Sequence, residues 1–129
     1  MACLDSDFLI ALMRKNPSAL QKFIELERKN ENLTVTPITA SELFHGAFKS
    51  KEESEMFKVE SILSALELLY FDFFSAKSCG EVMASLDKVG LIGDLDALTA
   101  GICLAHNEKV ITRNVKHYSK VKNLKVETY

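Results

Sequence analysis

The chain has 129 residues, of which 47% are hydrophobic and 26% are charged, a composition that fits one globular domain and excludes disordered, collagen-like and coiled-coil proteins. Sixteen Lys and Arg residues against eighteen Asp and Glu residues give a net charge of −2, which does not favour a nucleic acid or an anionic membrane as partner. Residues 109–125 nevertheless contain six basic residues and no acidic residue, which indicates either a polyanion contact or a solvated basic surface.

The cysteine pattern and the N-terminus bear on the compartment. Cys3, Cys79 and Cys103 are odd in number and far apart, unlike a disulfide framework or a zinc site, which is typical of a reducing compartment. No apolar run approaches the roughly 20 residues of a membrane span, and Asp5 lies where a signal peptide would continue into its apolar region. We therefore expect a cytoplasmic protein, without membrane association, that forms a single domain over residues 1–129.

In chain order, short apolar strands alternate with helical segments. Strands are predicted at residues 2–4, 33–36, 68–71, 109–112 and 124–127. Helices are predicted at residues 6–15, 18–29, 39–48, 52–66, 75–88 and 95–106. This alternation predicts an α/β fold, in which helices cover both faces of a mostly parallel sheet of about five strands with the first strand central. Right-handed crossovers then bring the carboxyl ends of the strands to one edge, where open α/β sheets bind ligands.

Polar residues recur at this edge of the predicted sheet. They are Asp5 directly after the first strand, Glu42 in the helix after the second, Asp96 in the helix before the fourth, and Asn114 just past the fourth. Three carboxylates at one edge would repel one another and shift each other's pKa unless a cation lay between them. Oxygen ligands without a nearby His or Cys suit Mg²⁺ or Mn²⁺, which bridge to substrate phosphates. The pattern thus indicates metal-dependent phosphoryl chemistry.

The same acids have a simpler interpretation as residues that begin helices. Residues 39–42 have the spacing of a capping box, and Asp5 and Asp94 are suitable N-cap residues. Asp7 and Asp96 would be first-turn acids that interact with the positive end of the helix dipole. The residues alone therefore leave both a metal site and a set of helix caps open.

Four blocks of the sequence resemble the motifs of PIN domains, in the family's order and at its spacing over nearly the whole chain. Residues 4–10 (LDSDFLI) resemble the first block, in which a strand ends in aspartate and a hydroxyl residue, although Asp7 replaces the usual asparagine. Residues 36–46 (TPITASELFHG) resemble the second, and residues 92–100 (IGDLDALTA) and 110–118 (VITRNVKHY) resemble the third and fourth.

Within that superfamily, the compact length and the Thr-Arg-Asn run at 112–114 are most similar to VapC toxins of toxin–antitoxin pairs. The resemblance implies a three-layer α/β/α domain with the activity of a Mg²⁺- or Mn²⁺-dependent endoribonuclease. It also implies an RNA substrate, a homodimer and a small cognate antitoxin as inhibitor.

The resemblance also implies roles for individual residues. The catalytic positions are Asp5, Glu42, Asp96 and Asn114, and the metal ligands among them are Asp5 and Asp96. The supporting positions are Ser6, Asp94 and Arg113, of which Arg113 would contact a phosphate. Asn114 stands where many members have a fourth aspartate. Asp94 is an alternative third acid, but Ala100 lies four residues beyond Asp96 and fits the family pattern better.

Two other functions stay open. One is a catalytically silent PIN-like binding module, for which Asn114 and Asp7 leave room. The other is a DNA or flap nuclease, although no segment is long enough for a threading arch. The scattered histidines at 45, 106 and 117 are predicted to be structural or surface residues, and Cys103 a buried inert thiol. The aromatic residues Phe8, Phe44, Phe48, Phe57, Tyr70, Phe71, Phe73 and Phe74 are predicted to lie mostly in the core.

Overall fold

The computed structural model describes residues 1–87 and 93–129. Its strands are β1 (Ala2–Leu4), β2 (Leu33–Val35), β3 (Glu67–Leu68), β4 (Lys109–Ile111) and β5 (Val126–Glu127). Its helices are α1 (Ser6–Met13), α2 (Pro17–Arg28), α3 (Pro37–Ser50), α4 (Glu53–Ser64), α5 (Phe73–Leu86), α6 (Asp94–Ala105) and α7 (Val115–Tyr118). Within these residues the five strands form one parallel sheet in the order β3-β2-β1-β4-β5, which confirms the predicted parallel sheet and the central position of β1.

The sheet separates two hydrophobic cores. Because successive side chains of a strand point to opposite faces, Ala2 and Leu4 pack on the side of α1 to α4, whereas Cys3 packs on the side of α5, α6 and α7. Ile111 and Val110 of β4 divide between the two cores in the same way. The result is the three-layer α/β/α arrangement that the sequence predicts.

Helix α3 begins earlier than predicted, and this changes the position of Glu42. Thr36 is the N-cap residue, and its hydroxyl oxygen accepts a hydrogen bond from the Thr39 N–H at 3.1 Å. Pro37 occupies the first helical position, where its fixed φ and missing N–H are favourable. The predicted capping box at 39–42 is therefore wrong, and Glu42 lies in the second turn of the helix, where it caps nothing.

The other predicted caps are partly confirmed. Asp5 is the N-cap residue of α1 and accepts a hydrogen bond from the Ser6 N–H at 2.9 Å. Asp7 and Asp96 lie in the first turns of α1 and α6, as predicted. The prediction that Asp94 is an N-cap is wrong, because Gly93 holds that position and Asp94 is the first residue of α6.

The third strand and the aromatic residues also differ from the prediction. Strand β3 covers only Glu67–Leu68, both exposed at the sheet edge, instead of residues 68–71. Asp72 then caps α5 by accepting a hydrogen bond from the Ser75 N–H at 2.8 Å, so that the helix begins at Phe73. Among residues 1–87 and 93–129, no further strand pairs with the outer edge of β3, so this edge of the sheet is uncovered. The prediction of a mostly buried aromatic set is wrong, because six of its members are exposed: Phe48, Phe57, Tyr70, Phe71, Phe73 and Phe74.

Two of the predicted boundaries fall on residues that the structure does not describe. They are Lys88, the predicted end of the helix at 75–88, and Ile92, the first residue of the third motif. Helix α7 was not predicted, and β5 begins two residues later than expected. In the part of the chain that the structure describes, no helix is both long enough and apolar enough to cross a membrane.

Helices α5 and α6 approach each other closely at Gly101. A Cβ atom at this position would lie 2.5 Å from both the Cα and the Sγ atoms of Cys79. These distances are too short for a non-bonded contact, so only glycine permits this packing. The contact also helps to place α6, which carries Asp96 in its first turn.

We expect the Gly101→Ala substitution to lower the free energy of unfolding by about 1–3 kcal/mol, because the added methyl group would push α5 and α6 apart. The matched control is Gly80→Ala in α5, where an added Cβ has no neighbour within 4 Å. That substitution should leave stability unchanged or raise it by up to about 1 kcal/mol through helix propensity. Urea denaturation of both variants measures the difference, and equal midpoints would contradict the packing argument.

Candidate active site

The candidate site lies at the carboxyl ends of β1 and β4, where α1 and α6 begin. Asp5 follows β1, and its backbone N–H donates to the Ile111 carbonyl of β4 at 3.1 Å. Its side chain is 4% exposed, and its Oδ2 atom accepts a hydrogen bond from the Thr112 hydroxyl at 2.9 Å. The pairing of the two central strands therefore holds this carboxylate in place.

One phenol connects two of the predicted acids. The Tyr118 hydroxyl lies 3.2 Å from Asp5 Oδ1 and 3.3 Å from Asp96 Oδ1. A hydroxyl has a single proton, so it donates to one carboxylate at a time. Burial, together with the charges of Asp5 and Asp96, raises the pKa of Tyr118, so the phenol stays protonated. Asp5 and Asp96 thus face each other across one neutral donor.

Asn114 and His117 approach Asp96 from α7 and the residue before it. The Asn114 amide Nδ2 donates to Asp96 Oδ2 at 3.1 Å and lies 3.0 Å from His117 Nδ1. His117 Nδ1 is itself 3.6 Å from Asp96 Oδ2. Asp94, the alternative third acid, is exposed at the start of α6. The structure therefore brings Asp96, rather than Asp94, into contact with the other site residues.

Glu42 reaches the same region from α3. Its side chain is partly buried, and burial raises its pKa. The negative charges of Asp96 and Asp7 raise the pKa further, whereas a hydrogen bond from the Ser6 side chain works in the opposite direction. Glu42 in α3 therefore lies close enough to Asp96 and Asp7 to feel their charges, and Ser6, the first residue of α1, lies beside it.

Asp7 adds a further negative charge to the site. Its Oδ2 atom accepts a hydrogen bond from the Arg113 N–H at 3.0 Å and lies 3.1 Å from the Thr112 hydroxyl, whose single proton goes to Asp5 or to Asp7. Its Oδ1 atom is buried, with no hydrogen-bond partner among the described residues. The Arg113 side chain lies over the Tyr129 ring, with its guanidinium carbon 4.6 Å from the ring centroid. Arg113, which was predicted to contact a phosphate, thus lies at the edge of the acidic group and over the ring of Tyr129.

The electrostatics of this group favour a bound cation. Burial and the charge of Asp7 raise the pKa of Asp5 to about 7, against an ordinary value of 3.8. Among residues 1–87 and 93–129, no three His, Cys, Asp or Glu side chains are spaced as a complete metal-ligand set. Mg²⁺ is nevertheless commonly held by one or two carboxylates and keeps several waters. The oxygen donors of Asp5 and Asp96 and the unpartnered oxygen of Asp7 fit such an ion.

Sequence reasoning missed three residues that hold the site together: Thr112, His117 and Tyr118. The useful signal was the spacing of Asn114, His117 and Tyr118, which are neighbours on one turn of a helix that was not predicted. His117 lies in this group through its contact with Asn114, and the prediction that it is a structural or surface residue rather than a metal ligand stays a prediction. By contrast, His106 is structural as predicted, with Nε2 2.8 Å from the Tyr70 carbonyl oxygen.

Comparison with known proteins bears on this arrangement. The sequence matches the PIN domain family over residues 2–123. It is 31% identical over 128 residues to ribonuclease VapC2 of Rickettsia felis, with 98% of this chain and 96% of that protein covered. It is 27% identical over 128 residues to the tRNA(fMet)-specific endonuclease VapC of Salmonella typhimurium, again with 98% and 96% covered.

Solved structures give the same result. The crystal structure of VapBC2 from Rickettsia felis bound to a promoter DNA fragment matches with a TM-score of 0.89 at 29% identity, covering 99% of this chain and 98% of that one. The structure of VapBC-1 from nontypeable Haemophilus influenzae matches with a TM-score of 0.86 at 28% identity, covering 98% and 96%. On the family match, the identity to VapC2 and these folds, the chain belongs to the PIN domain family, in its VapC-type branch.

Proposed function

We propose that the protein is a metal-dependent endoribonuclease that hydrolyses RNA phosphodiester bonds in the cytoplasm, as the toxin of a VapBC-type pair. The observation that carries this proposal is the pairing of two carboxylates, Asp5 and Asp96, across the Tyr118 hydroxyl at the carboxyl edge of the sheet. The ribonuclease names of relatives that span nearly the whole chain support the substrate class.

Each residue has a role that follows from its position. Asp5 and Asp96 would hold Mg²⁺ or Mn²⁺, which when bound supplies Lewis-acid stabilisation of phosphate charge and favours ionisation of the attacking water. Glu42, partly buried and beside Asp96, would complete the acidic group and orient that water. Asn114 would hold Asp96 in place through its amide. Ser6 would act on Asp5 through its backbone N–H and on Glu42 through its side chain.

We expect the wild-type protein to cleave RNA in the presence of Mg²⁺ or Mn²⁺, and the Asp5→Asn and Asp96→Asn variants to lose at least about 100-fold in kcat/KM, because each loses a charge that holds the ion. Asp94→Asn is the matched control, since Asp94 lies on the same helix turn but is exposed. It should retain nearly full activity.

Circular dichroism should show that all three variants are folded. Equal cleavage by the wild type and the two acidic-site variants would indicate a contaminating nuclease and remove the assignment. RNA binding without cleavage by a folded, metal-loaded wild type would favour the silent binding module instead. Faster cleavage of branched DNA than of RNA would favour the flap-nuclease alternative.

A second prediction concerns stability and the metal. Mn²⁺ at about 10–100 times its dissociation constant should raise the free energy of unfolding of the wild type by about 1–3 kcal/mol, because it binds only the folded state. Without metal, Asp96→Asn should leave the free energy of unfolding nearly unchanged or raise it, because it removes one like charge near Asp5 and Glu42. With Mn²⁺, the free energy of unfolding of this variant should rise much less than that of the wild type. Thermal melts of both proteins and of Asp94→Asn test this. A wild type that does not respond to Mn²⁺ would leave Asp5 as a helix cap and Asp96 as a first-turn acid, without a metal site.

We also propose a cognate antitoxin as inhibitor. A cleft of about 430 Å³ between α1, α3 and α4 has Glu42 among its lining residues, together with the apolar Ile10, Met13 and Val59. Glu52 and Glu55 also line it, together with the basic Arg14 and Lys58, and Lys58 pairs with Glu55 at 3.2 Å. The cleft therefore combines an apolar surface with a small excess of acidic groups. Such a surface suits an amphipathic segment with basic residues, and an arginine of that segment would be attracted to the acidic site. The VapBC complexes among the structural relatives support this partner class.

A homodimer is the remaining partner proposal, and the exposed aromatic residues before and in the first turn of α5 support it. Tyr70, Phe73 and Phe74 are between 74% and 79% exposed, and the rings of Phe73 and Phe74 are 6.1 Å apart. An exposed cluster of large apolar side chains marks an interaction surface. A second copy of the chain would cover it.

We expect the double substitution Phe73→Ser and Phe74→Ser to convert a dimer of the wild type into a monomer, because it removes the apolar area that the partner would bury. Phe57→Ser in α4, at a side chain 72% exposed, is the matched control and should leave the mass unchanged. Light scattering coupled to gel filtration measures the masses. A wild type that is monomeric at all concentrations would end this proposal.

A further inference from the structure

A second cleft opens beside the acidic group and shares Ile10 and Arg14 with the first cleft. It has a volume of about 610 Å³ and extends from Asp7 past the end of α1 to the last residue, Tyr129. Asp7 shares the Thr112 hydroxyl with Asp5, at 3.1 and 2.9 Å respectively. The cleft therefore begins next to the residues that the proposed function assigns to the reaction.

The cleft has the opposite charge to the site. Arg14, Lys15 and Arg113 line it and are exposed. Residues 16 and 17, which begin α2, also line it, so the positive end of a 12-residue helix adds to the basic charge. A polyanion lying across both regions would be repelled by the carboxylates of the site and attracted by the basic side chains of the cleft.

The cleft also contains an arginine–aromatic contact. The Tyr129 ring packs edge-on against the buried Phe8, with centroids 4.7 Å apart, and the Arg113 guanidinium lies over Tyr129 at 4.6 Å. Burial, together with the charge of Asp7, raises the pKa of Tyr129 to about 12, so the phenol is neutral under ordinary conditions. The Arg113 guanidinium is thus held over the Tyr129 ring, and the Arg113 side chain is itself exposed. Unpaired RNA bases stack on aromatic rings and on arginine planes of this kind.

We propose that this cleft binds the nucleotide next to the scissile phosphate, with its base stacked on the Arg113–Tyr129 pair and its phosphate contacting Arg14 and Lys15. This inference rests on the proposed ribonuclease function and deepens it by assigning the flanking nucleotide to one side of the site. It also gives Arg113 a role in positioning the substrate rather than a contact with the reacting phosphate.

The test measures RNA binding separately from cleavage. Binding of a short fluorescent single-stranded RNA is followed by anisotropy in the Asp96→Asn background, and cleavage is followed in the otherwise wild-type background. Tyr129→Ala should weaken binding by roughly 5- to 100-fold, the range for loss of one base–aromatic stack. Tyr129→Phe should bind the RNA as tightly as the wild type, since the ring is retained and only the hydroxyl is lost.

Arg113 and the two basic residues provide independent variants. Arg113→Lys keeps the charge but loses the planar surface, so its binding should fall by several-fold, close to that of Arg113→Ala. Arg14→Ala and Lys15→Ala should each lower the salt dependence of binding by about one unit of slope, as expected for a phosphate contact. Lys77→Ala, an exposed lysine of α5, is the control and should change neither quantity.

Distinct outcomes overturn the inference and the function. If the wild type cleaves RNA while Tyr129→Ala and Arg113→Ala bind and cleave it normally, the inference is wrong and the proposed function stands. If these two variants instead lose binding of a protein partner but not of RNA, the cleft is a protein-binding surface and the inference is again wrong. If the metal-loaded wild type neither binds nor cleaves RNA, both fail together. Because Tyr129 packs on Phe8, Arg113→Ala decides the outcome if Tyr129→Ala does not fold.

Discussion

The burial of a carboxylate at the end of the central strand is the constraint on which the site depends. Asp5 is nearly inaccessible, and a buried carboxyl group requires hydrogen-bond donors if it is to carry a charge. Its donors are the Ser6 N–H, the Thr112 hydroxyl and the Tyr118 hydroxyl. They come from the start of α1, the end of β4 and the single turn of α7. Since Leu4 pairs with Ile111 in the sheet, Thr112 necessarily lies beside Asp5.

These donors are all neutral, and the neighbouring acids are not. Asp7 and Asp96 both raise the pKa of Asp5, so the protein alone stabilises the ionised cluster incompletely. Asn114 reduces the repulsion between the carboxylates, because its amide donates a hydrogen bond to Asp96, whereas an aspartate at this position would add a further negative charge. The remaining imbalance is the physical reason to expect a divalent cation, and it follows from the donors present rather than from the family alone.

Near the site, the basic side chains lie next to the acidic group. The acids lie within the fold at the sheet edge, whereas Arg14, Lys15 and Arg113 lie in the exposed cleft beside it. Lys109, which the sequence includes in the same basic segment, is instead occupied by Glu31 at 2.6 Å and Glu127 at 3.0 Å. The six basic residues at 109–125 therefore do not form one surface. Lys109 forms salt bridges beside the sheet, whereas Arg113 lies in the exposed cleft, where it can contact an anion.

The sequence by itself determined the parallel sheet, the central position of β1 and the convergence of Asp5, Glu42, Asp96 and Asn114 at one edge. These follow from the order of strands and helices, which is a local property of the hydrophobic pattern, and from the fixed hand of the crossovers. Only the tertiary structure decided that Glu42 is not a cap, since Thr36 and Pro37 begin α3 three residues early. It alone showed that Asp96, and not Asp94 on the same helix turn, contacts Tyr118 and Asn114. The tertiary structure also decided that the aromatic residues around α5 are accessible to solvent. Burial depends on whether another layer covers a segment, and a hydrophobic pattern does not contain that information.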